Sequence, residues 1–355
     1  MKKSRMIICM ILALCMLFAL CACGGGKTEP KDDGKKEEYT DTYNIVYATT
    51  DAQGSIFDEM LITPMKEGIE KNSNGRITME VYYSGTLASQ GGIITAIDSK
   101  SCDAGGDAPS MYAGVYLYSE LANTPGIDYG NIRNYTLLIN DYDDVYPDEG
   151  LSKYYMFSRW AAGLFGFTTT NKKIEKVEDC KGLSFRATGN IIPYTEALGA
   201  TGTFIPISEL YESLRLNVVD GAITTLDRIA SDSYFDICDY FTKISWFIGD
   251  HIEILNMDFY NSMDPDAKAA IDKASEEMLD NALAWGDYVV ENSRKLCEEG
   301  NPNFQYIECS DEEAARFTEA AADILQAKVD EVNAAGLDGD GAVEWLKANA
   351  QKYVK

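Results

Sequence analysis

Residues 182–223 read GLSFRATGNIIPYTEALGATGTFIPISELYESLRLNVVDGAI, and the fold class turns on this run. Gly182–Ala187 is a short apolar strand pattern, Ile191 to Leu198 a helical one, Gly202 to Ile207 a second strand, and Ser208 caps a helix reaching Leu216. Val218 to Ile223 is a third strand. Short strands separated by helices build an α/β layer, because parallel neighbours need a crossover between them. Arg186 closes the first of these strands, the end at which an α/β layer presents side chains to a crevice.

The alternation extends in both directions. This unit begins near Gly166, and a similar one precedes it. Tyr43 to Ala48 is a strand, Ser55 to Lys71 a helix, and Asn74-Gly75 turns the chain into the alternating run Arg76 to Tyr83. After Gly91-Gly92 come a short helix through Ile97 and a strand near Cys102 to Gly106. Residues 123–149, rich in Asn, Asp, Tyr and Gly, read as loops and short helices. On the C-terminal side Ile271, Ala274, Met278, Ala282, Trp285 and Val289 step by three and four from Pro265 onward, predicting one helix to about Glu299. At 1.5 Å per residue it spans roughly 50 Å, enough to brace two lobes. Ser310-Asp311-Glu312-Glu313 is a capping box, with Ala314, Phe317, Ala321 and Ile324 as the inward stripe behind it.

At the N-terminus Lys2, Lys3 and Arg5 precede an unbroken apolar run from Met6 to Ala22, the charge pattern of an export signal. The run ends in Leu20-Cys21-Ala22-Cys23, which resembles a lipobox and implies cleavage before Cys23 and a diacylglycerol on its sulfur. Residues 1–22 are therefore the expected signal, and 23–38, almost without apolar side chains, the expected lipidated tether. This places the mature chain outside the cytoplasm, anchored to the outer face of the cell membrane. About 315 residues remain, more than one compact core usually holds, which favours two lobes.

Three of the 31 cationic residues and none of the 57 acidic ones lie in the signal, so the formal charge of −26 becomes −29 without it. Such acidity repels phosphate backbones and excludes nucleic-acid binding as a working reading. It also makes a cation placed for an anionic ligand informative, since that cation acts against the global field. Beyond Cys23 the five cysteines Cys102, Cys180, Cys238, Cys297 and Cys309 are odd in number, widely spaced and without a C-x-x-C, so most should be free thiols. His251 is the single histidine, which argues against a metal site and against a histidine-based triad; on sequence alone it reads as structural. No cofactor motif is present: neither a P-loop nor a G-x-G-x-x-G occurs.

Three segments together resemble the extracytoplasmic substrate-binding proteins of TRAP transporters, the DctP-like family. The first runs from Ser73-Asn74-Gly75-Arg76-Ile77 through Gly85-Thr86-Leu87 to Cys102-Asp103-Ala104-Gly105. The second is Lys172-Lys173-Ile174 with Val177 to Arg186. The third joins Leu198-Gly199-Ala200 to Ile205-Pro206-Ile207-Ser208-Glu209-Leu210-Tyr211 and Val218-Val219-Asp220-Gly221. The resemblance implies a two-lobe periplasmic-binding-protein-like fold: a cleft between lobe I (39–165 with about 248–285) and lobe II (166–247 with about 286–355), braced by the long helix. It implies capture of a small organic acid and delivery to a permease of one small and one large membrane subunit. In that family the arginine matching Arg186 forms the salt bridge to the ligand carboxylate, and a guanidinium suits that task because it grips a carboxylate through two parallel hydrogen bonds.

This chain departs from the family at Thr168, where many members have arginine, and at Thr224, where many have asparagine. Both changes weaken polar grip, which puts a dicarboxylate in doubt and leaves room for a monocarboxylate. Thr188, Thr224, Tyr211, Trp160 and Thr168 join Arg186 as candidate ligand residues. Two other readings stay open, a solute receptor of an ABC importer or sensor and an envelope hydrolase. The hydrolase is disfavoured by the lack of a G-x-S-x-G elbow and by the single imidazole; no catalytic residue is assigned.

Overall fold

The computed structural model describes residues 39–354 apart from Asn190 and Ser245; the expected signal, Cys23 and the tether lie outside the described residues. In chain order the strands are β1 (Tyr43–Ala48), β2 (Ile77–Tyr82), β3 (Ala104–Asp107), β4 (Tyr154–Ala161), β5 (Phe165–Thr169), β6 (Ser184–Arg186), β7 (Thr201–Thr203), β8 (Gly221–Thr225), β9 (Tyr240–Lys243), β10 (Asp250–Asn256) and β11 (Gln305–Ile307). They form two sheets, ordered β2-β1-β3-β10-β4 and β11-β9-β5-β8-β6-β7. β1 pairs in parallel with β2 and β3, and β6 with β7 and β8. Two strands run the other way: β10 lies antiparallel between β3 and β4, and β5 antiparallel between β8 and β9.

The helices that matter here are α1 (Thr63–Asn72), α2 (Ile93–Asp98), α3 (Ile132–Val145), α4 (Ile207–Arg215), α5 (Leu226–Ser231) and α6 (Pro265–Gly300). α1 is preceded by a π-helical turn at Asp58–Ile62. α6 has 36 residues, about 54 Å at 1.5 Å per residue. Asp264 starts it by accepting from the Ala267 amide. Its buried seam runs through Ala267, Ile271, Ala274, Met278, Ala282, Trp285 and Val289, as the periodicity predicts. The helix packs on α1 and β4 of the first sheet and on α5 of the second, so one rod serves both layers. The chain crosses between the sheets at residues 162–164 and 244–249 and again through α6.

Four local expectations need correction. Residues 123–149 hold α3, a 14-residue helix, where loops and short helices are expected; Asn131 caps it by accepting from Asn134, and Ile132, Tyr135, Leu138, Ile139 and Tyr142 are its buried face. Tyrosines and aspartates dilute the hydropathy signal there while leaving the 3.6-residue spacing intact. The helix after Pro206 begins at Ile207 with no side-chain cap from Ser208. The strand expected over 218–223 is shifted to Gly221–Thr225, with Val218 63% exposed in the preceding turn. Ser310 caps its helix by accepting from the Glu313 amide, but the expected box is not closed, since the Glu313 carboxylate accepts from Arg316 and the Val177 amide. Cys102, Cys180, Cys238, Cys297 and Cys309 are free thiols, all but Cys309 buried.

Candidate functional site

Parallel strands deliver their C-terminal ends to one place. Asp107 ends β3, Arg186 ends β6 and is followed by Thr188, and Thr224-Thr225 end β8 just before Asp227 and Arg228; all line one cavity. The antiparallel strands add their beginnings to the same edge. Ile252 is opposite Asp107 across the β3–β10 ladder, so His251 stands at the mouth of the first sheet. Phe165 is opposite Thr225, which brings its ring into the wall. Phe57, Met111, Ile207 and Phe247 add apolar surface to the wall.

Arg186 is 2% exposed. Its Nε donates to the Ile205 carbonyl at 2.9 Å and Nη2 to the Gln90 side-chain oxygen at 3.1 Å. Both acceptors are neutral. Arg76, Arg133, Arg159, Arg215, Arg228, Arg294 and Arg316 each have a carboxylate within 4.0 Å, and Arg186 is the exception among the described arginines. Burial pushes its pKa down to about 10, opposed by Tyr234 and reinforced by the Arg228 charge. A buried cation is costly to desolvate, and among the described residues no carboxylate offsets this one.

The other charged groups are partnered. Arg228 forms an ion pair with Asp51 at the end of β1, joining the two sheets across the cavity, and lies 3.9 Å from Asp232. The Arg186–Gln90 hydrogen bond makes a second crossing. Asp107 accepts from Tyr112 Oη at 2.6 Å and from the amides of Ala108, Gly91 and Ile93, at the start of α2. Asp227 is buried and its Oδ1 has no hydrogen-bond partner; burial pushes its pKa up to about 7, with Arg228 opposing. Below the site Arg159 pairs with Asp143 and Asp250. Among the described residues no cluster of His, Cys, Asp and Glu has the makings of a metal site.

Of the six candidate ligand residues, the fold brings Arg186, Thr188 and Thr224 to the cavity. The other three lie elsewhere. Thr168 sits inside β5 opposite Ala222, its hydroxyl 3.2 Å from the Tyr240 carbonyl. Trp160 is packed behind the wall against Phe57, His251 and Trp285. Tyr211 is half-buried on α4 against Tyr234. Sequence reasoning missed Gln90, Asp227, Arg228 and His251 in the site, and Asp51 as the partner of Arg228. Gln90-Gly91-Gly92 and the residues after Asp220-Gly221 carry a local signal as loop and strand-end positions; Asp51 and His251 carry none.

The chain matches the family described as bacterial extracellular solute-binding protein, family 7, over residues 47–331. It is 26% identical over 322 residues to the ectoine/5-hydroxyectoine-binding periplasmic protein UehA of Ruegeria pomeroyi, covering 87% of this chain and 90% of that one. Among solved structures it resembles a marine-metagenome TRAP solute binding protein specific for aromatic acid ligands, in complex with 3-hydroxybenzoate (TM-score 0.81, 19% identity, 89% of this chain and 100% of the other). It also resembles a TRAP solute binding protein from Rhodoferax ferrireducens with copurified benzoate (TM-score 0.80, 19% identity, 86% and 97%). At 19% identity these two structures speak for the fold alone.

Proposed function

The chain belongs to family 7 of the bacterial extracellular solute-binding proteins, which are receptors and not enzymes, and we propose that it holds a small monocarboxylate between its two sheets and hands it to a TRAP-type permease. The observation that carries this reading is Arg186, a buried guanidinium whose partners among the described residues are neutral oxygens. A ligand carboxylate supplies the missing charge through a bidentate pair. Thr188 and Thr224 add hydroxyls beside it, and Phe57, Phe165 and Phe247 offer an apolar slot to the rest of the ligand. Benzoate and 3-hydroxybenzoate in the two structural neighbours, and ectoine in the name of the relative, make these acids the first to try.

In this reading the halves 39–165 with about 248–285 and 166–247 with about 286–355 move as lobes, and Cys23 carries the lipid that keeps the receptor beside its permease. No helix among the described residues is long and apolar enough to cross a membrane. The test is native mass spectrometry of the purified unlipidated domain to identify what copurifies, followed by calorimetry with benzoate, 3-hydroxybenzoate and ectoine. Copurification of a carboxylate that Arg186→Ala fails to bind is the expected result. A copurifying solute without a carboxylate, bound equally by the variant, overturns it.

A further inference from the structure

We propose that His251 is a second recognition group of this cleft, one that donates a hydrogen bond to a neutral oxygen on the ligand. The receptor then selects monocarboxylates bearing a hydroxyl or carbonyl oxygen, and holds them more tightly at lower pH. This rests on the carboxylate reading of Arg186 given above.

His251 is the chain's one histidine and lines the same cavity as Arg186. Its side chain is 14% exposed, and its Nε2 lies 3.3 Å from Oε1 of Glu253, a residue with no exposure. The other Glu253 oxygen accepts from the Tyr47 hydroxyl. The ring is fixed by Phe57 at 5.5 Å and Trp160 at 5.2 Å between centroids. With Nε2 turned to Glu253, the second nitrogen has no hydrogen-bond partner among the described residues. Such a pairing fixes which nitrogen faces the carboxylate and leaves the other for the ligand.

The surroundings determine its charge. Burial opposes protonation, but the Glu253 carboxylate beside the ring, then the charges of Asp51 and Asp107, raise the pKa above the ordinary histidine value. From the other packed elements, Asp58 beside Phe57 is turned to Tyr83 and Thr63, Asp250 is taken by Arg159, and α6 contributes Trp285. Arg186 and Arg228 line the same cavity. A raised folded-state pKa means the imidazolium persists below that pKa and is lost as pH rises through it. Arg228 offsets Asp51, which leaves Glu253 and Asp107 against one imidazolium, so the field around the ring stays negative. A second ligand carboxylate would be repelled there, whereas a neutral oxygen accepts from N–H⁺ without that penalty.

A hydrogen bond from a charged donor contributes enough to change affinity by about tenfold to a hundredfold. The test uses matched acids differing by one oxygen, benzoate with 3-hydroxybenzoate and butyrate with 2-oxobutyrate, titrated calorimetrically at low and high pH. Wild type and His251→Phe are compared after circular dichroism establishes folding. In wild type the oxygen-bearing member of at least one pair binds about tenfold or more tighter, the preference fades as pH rises, and in His251→Phe the ratio falls to about one. A wild-type ratio near one in every pair, a ratio unchanged in His251→Phe, or no binding by any oxygen-bearing acid overturns the proposal. The single imidazole also gives one assignable NMR signal: a pKa above about 6.5 in wild type, falling in Glu253→Gln, is expected, and a wild-type value at or below that overturns the proposal. Failure of the carboxylate reading is separate, showing as Arg186→Ala binding the copurifying solute as wild type does.

Discussion

Replacing Arg186 by methionine separates binding from stability, because the residue is expected to weaken the protein it serves. The guanidinium is buried with no carboxylate beside it among the described residues, and burial pushes its pKa from the ordinary arginine range down to about 10. A shift of that size corresponds to roughly 3 kcal/mol of unfavourable charge burial at neutral pH. The sign follows from linkage: a base whose pKa is lowered on folding destabilises the native state wherever it is charged, and the penalty fades only as pH rises through the lowered value. Against it stand the two hydrogen bonds to Ile205 and Gln90, about 1 kcal/mol each. Methionine keeps much of the volume, so the unliganded variant should gain about 1 kcal/mol, a rise of ~2 °C in melting temperature. Binding should move the other way. Removing one partner of a buried charge pair costs about 2–5 kcal/mol, roughly 30-fold to several-thousand-fold in affinity. The assays are calorimetry with the copurifying acid and thermal unfolding of protein freed of it. Affinity within about threefold of wild type, or a melting temperature several degrees lower, refutes the reasoning, since either outcome makes Arg186 an ordinary structural cation.

Three further outcomes follow from the same geometry. Asp51→Asn removes the carboxylate that ties Arg228 across the cavity and leaves it the 3.9 Å contact with Asp232; breaking a buried ion pair costs about 3–5 kcal/mol, so small-angle scattering should show a more open protein and ligand affinity should drop at least tenfold. Asp227 has its pKa raised from 3.8 to about 7; the native state then binds more protons than the unfolded chain between those values, stability falls as pH rises through that window, and Asp227→Asn should flatten the fall between about pH 4 and 7 in thermal unfolding. Burial pushes the thiols of Cys102 up to about 11 and of Cys180, Cys238 and Cys297 up to about 12; aromatic disulfide reagents should react slowly with native protein and count five thiols in the unlipidated domain once it is denatured, and finding only one would contradict the free-thiol assignment.

Local periodicity and chain order made the α/β class, the long helix and the position of Arg186 legible, because each depends on residues within one or two turns or strands of one another. The stepping of Ile271, Ala274, Met278 and Ala282 needs no partner to be read as one buried face, and all four are buried in α6. Arg186 is read as the end of a strand from Gly182 onward, and it ends β6. The rest of the site depends on strand pairing over long separations. His251 reaches Asp107 only because β10 inserts antiparallel beside β3, and Phe165 reaches Thr225 only because β5 inserts antiparallel beside β8. The same packing withdraws Thr168, Trp160 and Tyr211 from the cavity, since a residue's position in a motif does not fix which face of a sheet or helix meets the cleft. A strand's propensity says that it pairs, whereas only the tertiary arrangement says with which neighbour, in which direction and at which register, and here direction decided which charges meet.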